Sequence, residues 1–421
     1  MPDVSIVLAY IALCVWIALV GFFNLGSILV VRQLFPKVPC SRSEGTKSIL
    51  MGHQVSTRDP SPGVSVLRPI RGLDYGLREN LQSMFDQVYS GPIEFLFCLE
   101  DPEDQAISII KSLVREYEKL DARIILTTDG VKSGANPKIN TLLPAFHEAQ
   151  YPILWVLDSN VRVEPGSMEN AVRSLCSPGI GLVHHLPFSI EPRGFGARLE
   201  QMFLNTTHAR MYTGINWTST ASCVNGKSNL YRKEDIKRIG GLEKFAQYLA
   251  EDNMIAERIL HLGQRAHHLI GMAWQPLGPM SVGAYYGRRS RWSRIRKYNV
   301  TAATLFEPFT ESLVCGVYGS WALHTLFNLS PLPIFLAHML TWLVCDILVF
   351  RWIYAQRHRL DLIEDQGVSK MKEALLWLSA WAVRESTALP LWIWAMCGTV
   401  VNWRGRKYYL RMDGTISRTY A

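Results

Sequence analysis

Three acids and one basic-aromatic run carry the chemistry that this sequence offers. Asp101 lies just past Phe95-Leu96-Phe97-Cys98-Leu99, Asp158 ends Ile153-Leu154-Trp155-Val156-Leu157-Asp158, and Asp252 closes Phe245-Ala246-Gln247-Tyr248-Leu249-Ala250-Glu251-Asp252. Downstream, Arg288-Arg289-Ser290-Arg291-Trp292 sets cations beside an aromatic face. Carboxylates hold cations or take protons, arginine grips phosphate bidentately, and an aromatic ring covers a sugar or an apolar acceptor. This inventory suits a transferase that uses a nucleotide sugar. Breaking the bond from sugar to phosphate puts charge on the leaving diphosphate, and a divalent cation held by hard oxygen ligands neutralises it. Asp158 is therefore the expected ligand for Mg2+ or Mn2+, with Asn160 of Asp158-Ser159-Asn160 adding a neutral oxygen. Lys138 in Asn136-Pro137-Lys138-Ile139-Asn140 is a second phosphate-binding candidate, and Asp252 is the candidate general base.

Each of these residues has an ordinary structural alternative. An acid behind a strand also caps turns and helices, Glu251 and Asp252 also complement a helix dipole, and a loop lysine is usually solvated. Arg294, Arg296 and Lys297 read as the basic edge of an interfacial helix. What favours chemistry is the placement of Asp101 and Asp158 at matching ends of two expected strands.

Those strands belong to an α/β pattern over residues 61–284. Val64-Ser65-Val66-Leu67, Glu94 to Leu99, Arg123-Ile124-Ile125-Leu126, Ile153 to Leu157 and Gly181-Leu182-Val183 are short apolar runs of the kind buried on both faces of a parallel sheet. Between them, Ile109, Ile110, Leu113 and Tyr117 recur at helical spacing within residues 105–120. An open, mainly parallel sheet is expected, and such sheets bind ligands at the carboxyl ends of their strands.

Apolar segments bracket this region. Residues 4–31 carry no charge and are long enough to span a bilayer, whereas Arg32, Lys37, Arg42 and Lys47 follow; the positive-inside rule then puts the soluble part in the cytosol. Residues 312–345, broken by Ser330-Pro331-Leu332-Pro333, read as two membrane helices joined by a tight turn. Residues 374–403 contain Arg384-Glu385 and Pro390, and the basic residues after them favour a re-entrant pair of half-helices over a single span. The expected organisation is an anchor over 1–32, a linker over 33–62, a transferase domain over 63–287, an interfacial segment over 288–311, membrane helices over 312–403 and a polar tail over 404–421.

Composition agrees. Hydrophobic residues make up 48% of the 421 residues and charged ones 19%, a mixture that suits a soluble domain joined to membrane segments. The net charge of +8 suits anionic lipid and a diphosphate, and because the basic residues cluster beside apolar spans, nucleic acid is not the expected partner. The eight cysteines show neither metal-ligand nor redox spacing, which argues against zinc and against a disulfide framework.

With these residues in view, the chain resembles the ceramide glucosyltransferases, a membrane family with the GT-A transferase fold. The resemblance rests on Gly63-Val64-Ser65-Val66-Leu67-Arg68-Pro69, Asn136-Pro137-Lys138-Ile139-Asn140, Gly181-Leu182-Val183-His184, the run from Phe245 to Asp252, and Arg288-x-x-Arg291-Trp292. It implies that Asp101 contacts the nucleotide, that Asp158 serves diphosphate and metal, and that Asp252 is the base. It further implies that Arg288, Arg291 and Trp292 close over diphosphate and acceptor, and that His208 and Cys223 lie near the acceptor pocket. The implied reaction passes glucose from UDP-glucose to the primary hydroxyl of ceramide with inversion, in a Golgi membrane or the endoplasmic reticulum. Asp158-Ser159-Asn160 departs from the Asp-any-Asp pattern of the wider fold. The competing readings are a processive polysaccharide synthase, a polyprenyl-phosphate glycosyltransferase, and a non-catalytic membrane binder of lipid or nucleotide sugar.

Asn205, Asn216 and Asn299 each begin a glycosylation sequon, and all three should stay unmodified if their region is cytosolic. Asn328 begins a fourth sequon, so digestion with peptide N-glycosidase should leave the mobility of an Asn328→Gln variant unchanged; a glycan on Asn205 would reverse the orientation.

Overall fold

The computed structural model describes residues 4–33, 61–127, 133–218, 223–263, 267–357, 370–403 and 405–418. The expected linker, with Lys37, Arg42 and Lys47, falls largely outside them.

The apolar runs form one seven-stranded sheet in the order β3-β2-β1-β4-β6-β5-β7. Its strands are β1 (Val64–Pro69), β2 (Ile93–Leu99), β3 (Asp121–Leu126), β4 (Ile153–Leu157), β5 (Leu182–Arg193), β6 (Ser228–Arg232) and β7 (His267–Pro279). β1 lies parallel to both β2 and β4, and β5 lies parallel to β7. β6 alone runs against its neighbours β4 and β5. The chain leaves β1 in one direction for β2 and β3, then returns to add β4 on the other side, which opens a crevice at the carboxyl ends of β1 and β4. β1 and β4 are buried along their whole length, β4 as its unbroken apolar run requires and β1 with Ser65 and Arg68 buried among its apolar residues. The first five strands match the runs read from sequence. β6 and β7 do not, because Ser228, Asn229 and Arg232 make β6 look polar and Gly271 and Gly278 interrupt β7.

Helices α1 (Val4–Gln33), α2 (Leu77–Phe85), α3 (Ala106–Glu116), α4 (Pro137–Glu148), α5 (Ser167–Leu175), α6 (Phe195–Phe203), α7 (Ala209–Thr218), α8 (Lys233–Arg238) and α9 (Glu251–Leu260) accompany the sheet, and a π-helical turn, Leu204–His208, joins α6 to α7. Then come α10 (Val282–Asn299), α11 (Thr301–Thr310), α12 (Ser312–Phe327), α13 (Pro331–Ala355) and α14 (Lys370–Met396). Among the described residues, Val4–Arg32 and Pro331–Ala355 are long and apolar enough to cross a membrane. α12 and α13 make a hairpin that turns at Asn328 in the left-handed region; α12, with 16 residues, is shorter than the span expected there. α14 differs from the re-entrant expectation: it is one continuous helix through Pro390. Its charge is tolerated because the Arg384 guanidinium lies 2.5 Å from Glu385 and 2.9 Å from Glu311.

The segment expected as a polar tail is folded. β8 (Val400–Trp403), β9 (Arg406–Leu410) and β10 (Ile416–Arg418) form an antiparallel sheet. Val401, Tyr408, Leu410 and Ile416 are buried on one face of it, so alternation hid an apolar surface inside a charged run.

Arg210 of α7 joins the sheet domain to the long helices. Its guanidinium is buried, donates to Asp346 of α13 at 2.7 Å, and lies 4.7 Å from the centre of the Trp342 ring. Trp381 of α14 donates to the other Asp346 oxygen at 2.9 Å, and Arg210 also donates to the Phe23 carbonyl of α1. Gly26 lets α1 lie this close, since a Cβ there would stand 2.4 Å from the Arg210 carbonyl oxygen. Removing one partner of such a pair leaves the other charge buried and alone. Asp346→Ala should therefore lower stability by about 3–5 kcal/mol, and Arg210→Met with Asp346→Leu should recover much of it. Melting curves in detergent micelles measure both.

Candidate active site

At the carboxyl end of β4 the chain must hold an anion in place. Arg68, fully buried in β1, donates to the Val161 carbonyl at 2.7 Å and the Ser159 carbonyl at 3.3 Å, which fixes the turn after Asp158. Ser159 in turn donates to Asp74, an acid in the loop after β1. Because β6 runs antiparallel to β4, its first residues arrive where β4 ends, and the Asp158 amide donates to the Lys227 carbonyl at 3.0 Å. The Lys227 ammonium then lies 3.0 Å from Asp158 Oδ2 and 2.9 Å from Asn160 Oδ1. Lys138 takes the other Asp158 oxygen at 2.9 Å. Burial alone would raise the Asp158 pKa, but these two ammonium groups hold it well below the usual carboxylate range.

Lys138 is delivered by the start of α4. The Asn136 side chain caps that helix by accepting from the Lys138 amide at 2.8 Å, and Pro137 occupies the first turn, where a missing N–H costs nothing. The amide nitrogen of the same Asn136 side chain donates to Glu251 Oε2 at 2.9 Å, and Lys138 lies 3.2 Å from Glu251 Oε1. Glu251 thus binds α9 to α4, which separates its role from that of its neighbour. Asp252 lines the cavity, with Oδ1 accepting from the Asn253 amide at 2.8 Å. Burial and the adjacent Glu251 carboxylate push its pKa up to about 7. Gly226 keeps this corner open: a Cβ there would stand 2.8 Å from Lys138 Nζ and 2.9 Å from Asp252 Oδ2.

The basic-aromatic run lies on α10, which begins with Ser281 accepting from the Ala284 amide. Buried Glu200 of α6 anchors it. Its carboxylate accepts from Arg288 at 2.8 Å and lies 3.2 Å from Arg289, whose guanidinium stacks over Phe203 at 4.1 Å and over Trp292 at 4.8 Å. Arg288 also lies over the Trp292 ring, at 5.5 Å. One buried acid therefore orients both arginines and the tryptophan beside them. His208 sits at the end of the π-helical turn, its ring 5.4 Å from that of Phe203 and 5.3 Å from that of Tyr212. Burial, then Arg289 and Arg296, lower its pKa to about 3, so the imidazole is neutral. Burial likewise keeps the Cys223 thiol protonated by raising its pKa to about 11.

These groups surround one cavity of about 840 Å³. Lys138, Asp158, Lys227, Asp252, Arg288 and Arg291 line it, together with Trp292, His208 and Cys223. So do Leu19, Phe22 and Phe23 of α1, Phe306 of α11, and Leu391 and Trp392 of α14. Asp101 is not brought in. It follows β2, one strand out from the β1/β4 crevice, and stands exposed with Oδ1 accepting from the Glu103 amide at 2.9 Å, as a turn-capping acid does.

Sequence reasoning missed Asp74, Glu200 and Lys227, and named Arg289 only as part of the basic-aromatic run. Asp74 carried the same signal as Asp101 and Asp158, an acid shortly after an apolar strand. Glu200 stood out as a lone acid in the apolar helix Phe195–Phe203. Lys227 gave no signal, because β6 was not legible.

A divalent ion fits the donor set poorly. Both oxygens of Asp158 and the oxygen of Asn160 already accept from ammonium groups, and no three His, Cys, Asp or Glu side chains gather as ligands among the described residues.

The family model described as glycosyl transferase family 21 matches residues 39–416. A ceramide glucosyltransferase of Komagataella phaffii is 35% identical over 430 residues, covering 83% of this chain and 83% of its own. Another, of Candida albicans, is 32% identical over 477 residues, covering 84% and 87%. Ceramide glucosyltransferase 1 of Caenorhabditis elegans is 30% identical over 366 residues, covering 86% and 75%. Among solved structures, a mannosyltransferase of Pyrobaculum calidifontis in complex with GDP-Man and Mn2+ aligns with 90% of this chain and 98% of its own, at 16% identity and a TM-score of 0.44; its donor and metal are its own. A match that runs through Asp158, Asp252 and the α10 run alike, and on into the C-terminal sheet, shows that the chain belongs to glycosyl transferase family 21.

Proposed function

We propose that this glycosyltransferase moves glucose from UDP-glucose to the primary hydroxyl of ceramide, inverting the anomeric carbon in one displacement. The observation that carries the reading is the single cavity that joins charged groups of the sheet domain to apolar side chains of α1, α11 and α14. A charged, soluble donor and a two-chained alcohol each find a matching lining there. The ceramide glucosyltransferase relatives support both the acceptor and the sugar.

In this reading the acceptor oxygen attacks the anomeric carbon as the bond to the β-phosphate oxygen breaks. The hydroxyl proton passes to Asp252, and the electron pair leaves with UDP. Lys138, Arg288 and Arg291 face the charge that develops on the diphosphate, and Trp292 covers the sugar or the lipid headgroup. Held in place by Asp158 and Glu251 for Lys138 and by Glu200 for Arg288, two of these cations need little rearrangement as the charge appears. His208, a neutral ring, and the Cys223 thiol line the acceptor side without adding charge.

Leu305, Phe306 and Phe309 are exposed on α11 beside the apolar part of the cavity, a surface suited to the lipid interface through which ceramide would arrive sideways. α1 and α13 would cross the bilayer. The basic flank after residue 31 supports a cytosolic sheet domain, and a Golgi membrane follows from the resemblance.

Purified protein given labelled UDP-glucose and ceramide should form glucosylceramide, and should form no polymer when lipid is withheld. Polymer formation, or loading of a polyprenyl phosphate in preference to ceramide, would replace this reading. Asp252→Asn should lower kcat by about 10²–10⁴-fold and leave UDP-glucose binding, measured by calorimetry, unchanged. The raised pKa sets the sign of the pH test: below about 7 the Asp252 carboxyl already holds a proton and cannot take another. In the wild type, kcat/KM should climb as pH rises through about 7 and then level, an inflection that the Asn variant should lack.

A further inference from the structure

The position between Asp158 and Asn160 is the natural place for a cation at the leaving diphosphate, and a side chain of this protein already fills it. Lys227 Nζ donates to Asp158 Oδ2 at 3.0 Å and to Asn160 Oδ1 at 2.9 Å, bridging the two ends of Asp158-Ser159-Asn160. The side chain is buried, and its backbone is pinned to the same turn by the bond from the Asp158 amide to the Lys227 carbonyl. The lysine is therefore delivered by strand pairing, from the start of the reversed strand β6, and not by a mobile surface chain.

We propose that Lys227 takes the place of a divalent ion in this transferase, so that the departing diphosphate is neutralised by the ammonium groups of Lys227 and Lys138 and the guanidinium groups of α10. The inference rests on the sugar-transfer reading above and names its electrophilic partner.

Charge matching argues for it. A divalent ion of the Mg2+ or Mn2+ kind seeks several hard oxygens, and a charge of +2 is best met by more than one carboxylate. Here Asp158 supplies one negative charge and Asn160 none, and Lys138 already shares the Asp158 carboxylate at 2.9 Å. One carboxylate and one amide oxygen match a single ammonium, which offers three donors and spends two on them. The third is left for an anion arriving in the cavity that Lys227 lines. When the bond from sugar to phosphate breaks, the electron pair goes to the β-phosphate oxygen and the acceptor proton to Asp252, so no further co-reactant is needed.

The test uses full-length protein in ceramide-containing vesicles with UDP-glucose, with excess chelator or with added Mn2+. Transfer by the wild type should be the same in both, and electron paramagnetic resonance should show no Mn2+ held by the protein in the presence of UDP. Lys227→Met should lose about a hundredfold to a thousandfold of transfer under chelator, bind Mn2+ with UDP, and regain activity when Mn2+ is supplied. Wild-type transfer that stops under chelator and returns with Mn2+, a wild-type Mn2+ signal with UDP, or a Lys227→Met variant as active as wild type under chelator would each overturn the proposal. The wild-type arms decide the matter even if the variant does not fold. Glucosylceramide formed by the wild type only with Mn2+ leaves the sugar-transfer reading standing and removes the lysine role, whereas no glucosylceramide under either condition removes the reading on which both rest.

Discussion

A charge cannot be buried unless its partner is buried with it, and Arg210 with Asp346 is where that constraint binds this molecule together. One partner belongs to α7, packed on the sheet, and the other to α13, one of the helices apolar enough for a membrane. Phe23, Trp342 and Trp381 surround the pair, so α1, α13 and α14 all pack on a single guanidinium and carboxylate. The cavity lies against the same α1, and α14 supplies part of its wall. A polar donor and a lipid can share one chamber only if the sheet is held rigidly to the helices, and this buried pair holds it.

The same rule shapes the chamber itself. Asp158 is shared by Lys138 and Lys227, Lys138 is also held by Glu251, and Glu200 orients Arg288 and Arg289. The cations that face the cavity are positioned by carboxylates, Asp158 and Glu251 within its lining and Glu200 outside it. Such preorganisation is worth most in a half-dry site, where an incoming diphosphate meets fixed charges and not loosely held water. Asp252 stands apart from this pairing. Burial, and then the adjacent Glu251 carboxylate, keep its pKa near neutrality.

Much of this was legible beforehand, and for identifiable reasons. β1 to β5 each contain a short apolar run, so composition marked them, and Asp158 could be read from its place at the end of one. The helical start at Asn136-Pro137 declared itself through capping chemistry. β6 stayed hidden because a strand flanked by partners on both sides can carry Ser228, Asn229 and Arg232 when hydrogen bonds satisfy them, as Trp155 and His185 do for Ser228. With β6 went Lys227, whose importance comes from strand direction and not from its neighbours in sequence. Asp101 has the same local setting at the end of β2 but stands exposed and outside the lining of the cavity. The C-terminal sheet was misjudged because alternation in a short, basic run looks like solvated chain until a surface exists for it to cover.

That sheet has a consequence for how the enzyme comes into being. Tyr248 pairs with Thr415, the Ile416 amide donates to the Gln247 carbonyl at 2.9 Å, and Trp403 lines the cavity, so the loop leading to Asp252 receives its outer wall from residues 400–418. Ribosomes deliver those residues long after the carboxylates and lysines have been made. A nascent chain that stops short of them therefore lacks this wall of the chamber, and glycolipid synthesis must wait until residues 400–418 have been made.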